Sequence, residues 1–235
     1  MKTGLVREFI FLSISSICLS AVCANYPEPL TSAKDLKKAS PDTEMIAIAD
    51  LPLRDYPGLA KFQKLKSIQF YKEGRSGATD AKLEALACVK FPRLRDIELV
   101  AAKSVTDKGL LALSRMTLKG LSLEGTSITD GGCEIIDSKM HLEGINVANC
   151  SNVTMKGLHS LAPSESLKDI SFSADRLTQT EVVGLIKEFK SITWCQIVDP
   201  QEKLDKEALR KLGNEKGIKI VVKRTGALQD LRRAP

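Results

Sequence analysis

One phrase recurs along this sequence and decides its fold: Leu94-Arg-Asp-Ile97-Glu-Leu99, Leu118-Lys-Gly-Leu121-Ser-Leu123 and Leu142-Glu-Gly-Ile145-Asn-Val147. Each copy has apolar residues at its first, fourth and sixth positions. The copies, including a weaker last one, begin at residues 65, 94, 118, 142, 167 and 192, so the intervals are 29, 24, 24, 25 and 25 residues. Degenerate copies flank them near 46–48 and 218–222. An interval this steady indicates structural repeats.

A second phrase lies between the copies of the first. It reads Val105-Thr-Asp-Lys-Gly109-Leu110, Ile128-Thr-Asp-Gly-Gly132-Cys133 and Val153-Thr-Met-Lys-Gly157-Leu158. A threonine before a run with helical spacing of apolar residues is typical of an N-cap that opens a short helix. We interpret the Asp residues of this phrase as groups that stabilise the helix start.

Each repeat is therefore predicted to contain a short strand followed by a short helix. The fourth and sixth residues of the first phrase alternate with polar ones, so one face of the strand is buried. A single unit of about 25 residues cannot bury that face alone. Stacked units would form a parallel sheet with an apolar layer between strands and helices. The predicted fold is an α/β solenoid with a curved parallel sheet and short helices on its convex side.

The two phrases resemble those of leucine-rich repeat proteins, over roughly residues 43–223. The Thr-Asp-x-Gly-Leu phrase is similar to that of the cysteine-containing subclass and its bacterial relatives. In that subclass a Cys, Thr or Asn stands at the ninth position of the repeat, where Cys150 and Thr126 match. Ala102 and Asp175 depart from the pattern, so the resemblance implies only a patchy ladder of side chains at the turn. The family is a scaffold for binding, which predicts a fold more sharply than a function.

The first 24 residues have the three parts of a secretory signal peptide. Lys2 and Arg7 precede a short apolar run, and Val22 and Ala24 occupy the −3 and −1 places of a small-residue cleavage site. Lipid attachment at Cys23, an uncleaved anchor and an organelle transit peptide are the alternatives. The run is too short to span a membrane, which takes about 20 apolar residues. The predicted locations are the periplasm, the cell surface or the medium.

The rest of the chain divides into three parts. We expect 25–42 to be an extended leader, 43–223 to be the repeat domain and 224–235 to be a basic tail. A Gly-rich insertion at 72–77 is predicted to bulge from the solenoid, and 201–212 is a candidate charged helix. Residues 25–201 carry 23 basic and 23 acidic residues, so the body has no broad basic surface for nucleic acid.

Catalytic and metal-binding patterns are not found. The sequence has no Gly-rich phosphate loop, no GxSxG and no CxxC spacing, and its two histidines, His141 and His159, share no motif with a nucleophile. We therefore expect no enzymatic activity, no metal and no cofactor. The body cysteines occupy repeat positions expected to be buried, where free Cys packs as a small hydrophobe, although one bridge between adjacent repeats stays open. These are Cys88, Cys133, Cys150 and Cys195.

The concave face is the predicted binding surface. The third, fifth and seventh positions of each repeat point away from the core, and they give a mixed, faintly acidic face. Tyr71 and Trp194 are its aromatic anchors, about 24 Å apart across five strand steps; Trp194 could instead cover the C-terminal end of the stack. The candidate partner-binding residues are Tyr71, Asp96, Glu98, Asn146, Ser171, Trp194 and Gln196. Because Gly144 and Ala148 would let a partner approach closely, we expect the part from Asn146 to Gln196 to carry more contact than the acidic half.

The function predicted from the sequence is a monomeric, exported protein-binding module with one unidentified protein partner. The alternative is an adaptor or assembly subunit of a larger complex, possibly a mitochondrial one. The leader separates the two hypotheses, because cleavage before Asn25 with location in the cell envelope favours the first.

Overall fold

Eight strands form one parallel sheet in sequence order in the computed structural model, which describes residues 27–70 and 77–224. The strands are β1 (Met45–Ile48), β2 (Ser67–Phe70), β3 (Asp96–Glu98), β4 (Gly120–Ser122), β5 (Gly144–Asn146), β6 (Asp169–Ser173), β7 (Trp194–Val198) and β8 (Lys219–Lys223). The α-helices are α1 (Ala33–Lys38), α2 (Asp80–Ala87), α3 (Asp107–Leu113), α4 (Asp130–Lys139), α5 (Met155–Leu161), α6 (Gln179–Glu188) and α7 (Lys206–Lys216), and Leu53–Lys61 is a 3₁₀ helix. The predicted α/β repeat solenoid is confirmed.

The register of the sheet follows the repeat phrase residue by residue. Ile97 pairs with Leu121, Leu121 with Ile145, and Ile145 with Ile170. These fourth-position residues form one buried column, each at most 1% exposed. Both degenerate flanking copies form strands, β1 and β8, so the stack has eight units of sheet.

The helices begin where the second phrase predicts. Thr106 Oγ1 accepts from the backbone N–H of Lys108, Thr129 Oγ1 from Gly131, and Thr154 Oγ1 from Lys156. Thr79 and Thr178 cap α2 and α6 in the same way. Each cap satisfies a backbone donor that the first turn of a helix leaves without an intrahelical partner.

The N-terminal end of the stack is folded, where the sequence led us to expect an extended leader. Leu30 pairs with the β1 edge through Leu30 N–H to Ala47 O at 2.8 Å. Ser32 caps α1, and Leu30 and Leu36 are 4% and 6% exposed. Lys61 Nζ donates to the carbonyls of Leu36 and Ala39, which anchors the end of α1 to the 3₁₀ helix. Backbone pairing, the Ser32 cap and the burial of Leu30 and Leu36 hold this segment against the first repeat.

At the C-terminal end, α7 begins at Lys206 rather than at 201. Asp205 accepts from the N–H groups of Glu207 and Ala208, which fixes the helix start five residues later than expected. Gly217, with φ of 69°, ends the helix and leads into β8. The predicted signal peptide at 1–24, residues 72–76 of the predicted insertion at 72–77 and the tail beyond Arg224 lie outside the described residues.

Candidate partner-binding face

The sheet face opposite the helices carries three rows of aligned side chains. The row of third positions runs Ser67, Asp96, Gly120, Gly144, Asp169, Trp194 and Lys219. The row of fifth positions runs Gln69, Glu98, Ser122, Asn146, Ser171, Gln196 and Val221. The seventh positions that the structure describes continue the strands and include Glu124 and Ser173. We call these rows together the concave face.

The residues of the third-position and fifth-position rows differ in their exposure to solvent. Asp96, Glu98, Asp169 and Trp194 are partly exposed. The fifth-position residues Asn146, Ser171 and Gln196 are only 4%, 3% and 2% exposed. The predicted candidates that the structure describes thus lie on one face, but only Asp96, Glu98 and Trp194 among them are accessible to solvent. Tyr71 lies outside the described residues.

Neighbouring repeats are joined across this face by polar side chains. Gln69 Nε2 donates to Glu98 Oε2 at 2.8 Å. Glu124 accepts from Asn146 Nδ2 at 3.1 Å through one oxygen and from Asn149 Nδ2 at 2.9 Å through the other. Gln69 and Glu124 are a fifth and a seventh position, so the sequence predicted that they lie on this face, but it did not identify them as partners of the candidate residues. For Gln69 the signal was available in the register, because it stands directly beside Glu98 on the next strand. Glu124 instead reaches Asn146 from two residues further along its own repeat.

The partly exposed carboxyl groups are harder to ionise than usual. Burial raises the pKa of Glu98 to about 7; the Gln69 hydrogen bond opposes that rise and the Glu124 carboxylate adds to it. Burial also raises the pKa of Asp96 to about 6, with Arg95 opposing, and the pKa of Asp169 to about 6. The negative charge of each of these three carboxylates therefore lacks the solvation it would have in water.

Trp194 lies within the face rather than at the end of the stack. It pairs in register with Asp169 on one side and with Lys219 on the other. Strand β8 and helix α7 follow it, so the C-terminal end of the sheet is formed by β8. A partly exposed indole between an aspartate and a lysine is a suitable contact for a partner.

The Asp residues of the second phrase connect successive repeats, which the sequence did not reveal. Asp107 accepts from the backbone N–H and the hydroxyl of Thr129, at 2.9 and 2.6 Å. Asp80 and Asp130 bind Thr106 and Thr154 in the same way. Burial opposes the ionisation of Asp130, but the Thr154 contacts prevail and hold its pKa below the usual value. We call this series the Asp–Thr ladder.

The ladder stops at Met155, which occupies the Asp position of its repeat. Thr178 of the next repeat instead binds Glu181 of its own helix in a capping box. A cavity of about 290 Å³ opens at this junction, with Met155, Leu158 and Phe172 among its apolar lining residues. Arg176 lies at the same junction and donates to Ser151 O at 2.8 Å.

The described cysteines are separate free thiols. Cys133, Cys150 and Cys195 are buried as expected, but Cys88 is exposed, because it follows the last turn of α2 as its C-cap. Burial raises the pKa of the Cys133 and Cys195 thiols far above the usual value. At the turn after the strand, Cys150 Sγ lies 3.0 Å from Leu123 O and 3.5 Å from Thr126 Oγ1. The contact between ninth-position side chains that the resemblance implies is therefore present between these two repeats.

The remaining polar groups form no metal centre within 27–70 and 77–224. No group of three or more His, Cys, Asp or Glu side chains there is placed to hold a metal ion. His159 Nδ1 contacts Glu188 Oε2 on the neighbouring helix, and His141 is exposed. Among the same residues, no helix is both long and apolar enough to cross a bilayer.

Comparison with known proteins adds little to the fold. No protein-family profile and no curated protein matches the chain. Among solved structures, the chain is similar to one in the crystal structure of the Rad7 and Elc1 complex in yeast, with 12% identity over 83% of this chain and 80% of that one. The TM-score is 0.28, and the fold assignment rests on the strand register described above.

Proposed function

We propose that this chain is a non-catalytic, exported module that binds a protein partner through the concave face. The observation that supports the proposal most directly is the alignment of polar side chains across β2 to β7, with Asp96, Glu98, Asp169 and Trp194 still reachable from solvent. A run of adjacent strands offers a contact surface tens of ångströms long, which suits a macromolecule better than a small ligand.

The choice of the concave face over the helical side follows from what each side does in the fold. The helical side is committed to the Asp–Thr ladder and to helix packing, which hold the repeats together. The concave face contributes little to the apolar core, so its partly exposed side chains, Asp96, Glu98, Asp169 and Trp194, are available for recognition. Trp194 supplies a large amphipathic contact of the kind that often dominates binding energy.

The test is affinity capture from the native source with protein that begins at Asn25. Trp194→Ala should weaken capture of the partner roughly thirtyfold, because truncating an anchor aromatic costs about 2 kcal/mol. Leu111→Ala is the matched control, since Leu111 is 43% exposed on α3, on the other side of the sheet. Equal loss in both variants, with unchanged melting temperatures, would place the binding surface elsewhere.

The export part of the proposal has its own measurement. N-terminal sequencing of the protein isolated from its source should find Asn25 as the first residue, with the protein recovered in the envelope or the medium. An import-type cleavage at another position, with recovery in an organelle complex, would reject export and favour the adaptor hypothesis.

A further inference from the structure

The middle of the concave face is acidic and has no basic residue in its strand rows. From β3 to β6 the third, fifth and seventh positions include four carboxylates and no Lys or Arg. We call Asp96, Glu98, Glu124 and Asp169 the concave acidic strip. Arg95 flanks it beside Asp96, and Lys119 is paired with Glu143 at 3.1 Å. The strip therefore offers negative charge to a molecule that approaches the sheet.

Beside this strip lie polar atoms with no hydrogen-bond partner. Gln69 Oε1 and Ser122 Oγ are unpartnered, and their residues are 8% and 0% exposed. Ser122 stands between Glu98 and Asn146 in register, two residues before Glu124. The orientation of the Gln69 amide is fixed because its nitrogen donates to Glu98, so the atom left over is an acceptor. A buried polar atom without a partner is costly, so these positions favour a ligand that brings donors.

The third-position row also sets a distance. Asp96 and Asp169 stand three strand steps apart, about 14 Å, and only Gly120 and Gly144 lie between them in the row. No side chain of this row therefore stands between the two carboxylates, while Glu143, which precedes Gly144 and pairs with Lys119, adds its negative charge near both. Four residues of an extended chain span about the same distance.

We propose that the concave acidic strip receives an extended protein segment that carries two basic side chains about four residues apart. This inference rests on the proposed function, because it names the chemistry of the partner for the same face. One cation meets Asp96 and Glu98, the other meets Asp169, and N–H groups of the segment approach Ser122 and Gln69. The poor solvation of these carboxylates, described above, lets an arriving cation replace water at little cost.

The probe is a fluorescein-labelled glycine–serine peptide of nine residues with arginine at its third and seventh positions. Its binding is measured by fluorescence anisotropy at low ionic strength and pH 7.5, on protein that begins at Asn25. Comparison peptides have the two arginines adjacent, or have glutamates in their place. The spaced peptide should bind best, and added salt should weaken the binding.

Two triple variants of equal net charge separate a site from diffuse attraction. D96N/E98Q/D169N neutralises three members of the strip, whereas E84Q/D137N/E215Q neutralises three exposed carboxylates on helices. The first should weaken binding of the spaced peptide roughly tenfold, and the second should leave it within about a factor of two. Equal effects of the two variants, or equal binding of the spaced and adjacent peptides, would overturn the inference.

Capture of the natural partner distinguishes this inference from the proposed function. If Trp194→Ala abolishes capture while D96N/E98Q/D169N does not change it, the concave face binds the partner but the basic segment is wrong. If neither variant changes capture, the proposed function fails as well. Melting curves of both triple variants confirm that the strand stack is intact.

Discussion

At the scale of single residues, the eighth position of three repeats has the same unusual backbone. Ala101, Gly125 and Asn149 follow their strands with φ of 60°, 68° and 58°. This left-handed conformation is accessible to glycine, tolerated by asparagine and unfavourable for alanine. The turn geometry is thus set by the repeat, and Ala101 adopts it although its side chain opposes it.

Ala101→Gly should therefore leave the free energy of unfolding unchanged or raise it by up to about 1 kcal/mol, because it relieves the left-handed strain. Ala102→Gly is the matched control one residue later. Ala102 is fully buried, so losing its methyl group should cost about 1 kcal/mol. Urea denaturation measures the free energy of unfolding of both variants. Losses of equal size in the two would contradict the strain at Ala101.

Glu98 gives a second prediction at this scale. Its pKa rises from 4.5 to about 7 on folding because of burial, so the folded protein binds more protons between those values. The stability contribution of Glu98 is then largest at low pH and falls as the pH rises through this window. Glu98→Gln removes that loss while keeping an acceptor for Gln69.

We therefore expect Glu98→Gln to gain stability relative to the parent by about 1–3 kcal/mol at pH 8 compared with pH 4. Urea midpoints over this pH range measure the difference. Parallel profiles for the parent and the variant would show that Glu98 ionises as freely in the folded as in the unfolded chain.

At the scale of elements, the Asp–Thr ladder explains the glycine of the second phrase. A Cβ added at Gly109, Gly132 or Gly157 would lie 2.4–2.5 Å from an Asp oxygen of the preceding repeat. The sequence predicted the threonine caps, because a cap is a local signal. It could not predict that the neighbouring Asp serves the next helix, because that contact depends on how two repeats stack.

Two glycine substitutions test this. Gly132→Ala should lower the free energy of unfolding by about 1–3 kcal/mol, since the methyl group would displace Asp107 from Thr129. Gly184→Ala, in α6, meets nothing within 4 Å and should raise it by up to about 1 kcal/mol. Changes of the same sign in the free energy of unfolding for both variants, measured by urea denaturation, would argue that the Asp–Thr ladder is not the reason for glycine at position 132.

At the scale of the whole molecule, each repeat contacts only its neighbours, so the position of a residue in the stack governs its effect. Period and register could be read from Leu94, Leu118 and Leu142. The register held for all eight strands, and the period of 24–25 residues held from β3 to β8. The solvent exposure of the concave face could not be read from the sequence, because the alternation of apolar and polar residues gives the direction of a side chain and not what surrounds it. Asn146 and Gln196 were placed on the right face yet are almost excluded from solvent.

Leu121→Ala, in the middle of the column, should cost about 2–5 kcal/mol, because the cavity has packed neighbours on both sides. Ile220→Ala in β8 should cost less, since Ile220 is only partly buried and has a sheet neighbour on one side. Amide hydrogen exchange should show faster exchange confined to β7 and β8 for Ile220→Ala. Equal costs for the two variants would contradict nearest-neighbour stacking.

The Asp–Thr ladder also has a direction, since each Asp reaches forward to the Thr of the following repeat. Removing residues 106–128 would join Val105 to Thr129 and place that threonine opposite Asp80, with the same chemistry at the new junction. Duplicating the same stretch would also preserve an Asp–Thr contact at each new junction. The molecule can therefore lengthen or shorten during evolution by whole repeats. Such a change alters the length of the concave face, whereas the Asp–Thr contacts between neighbouring repeats stay the same.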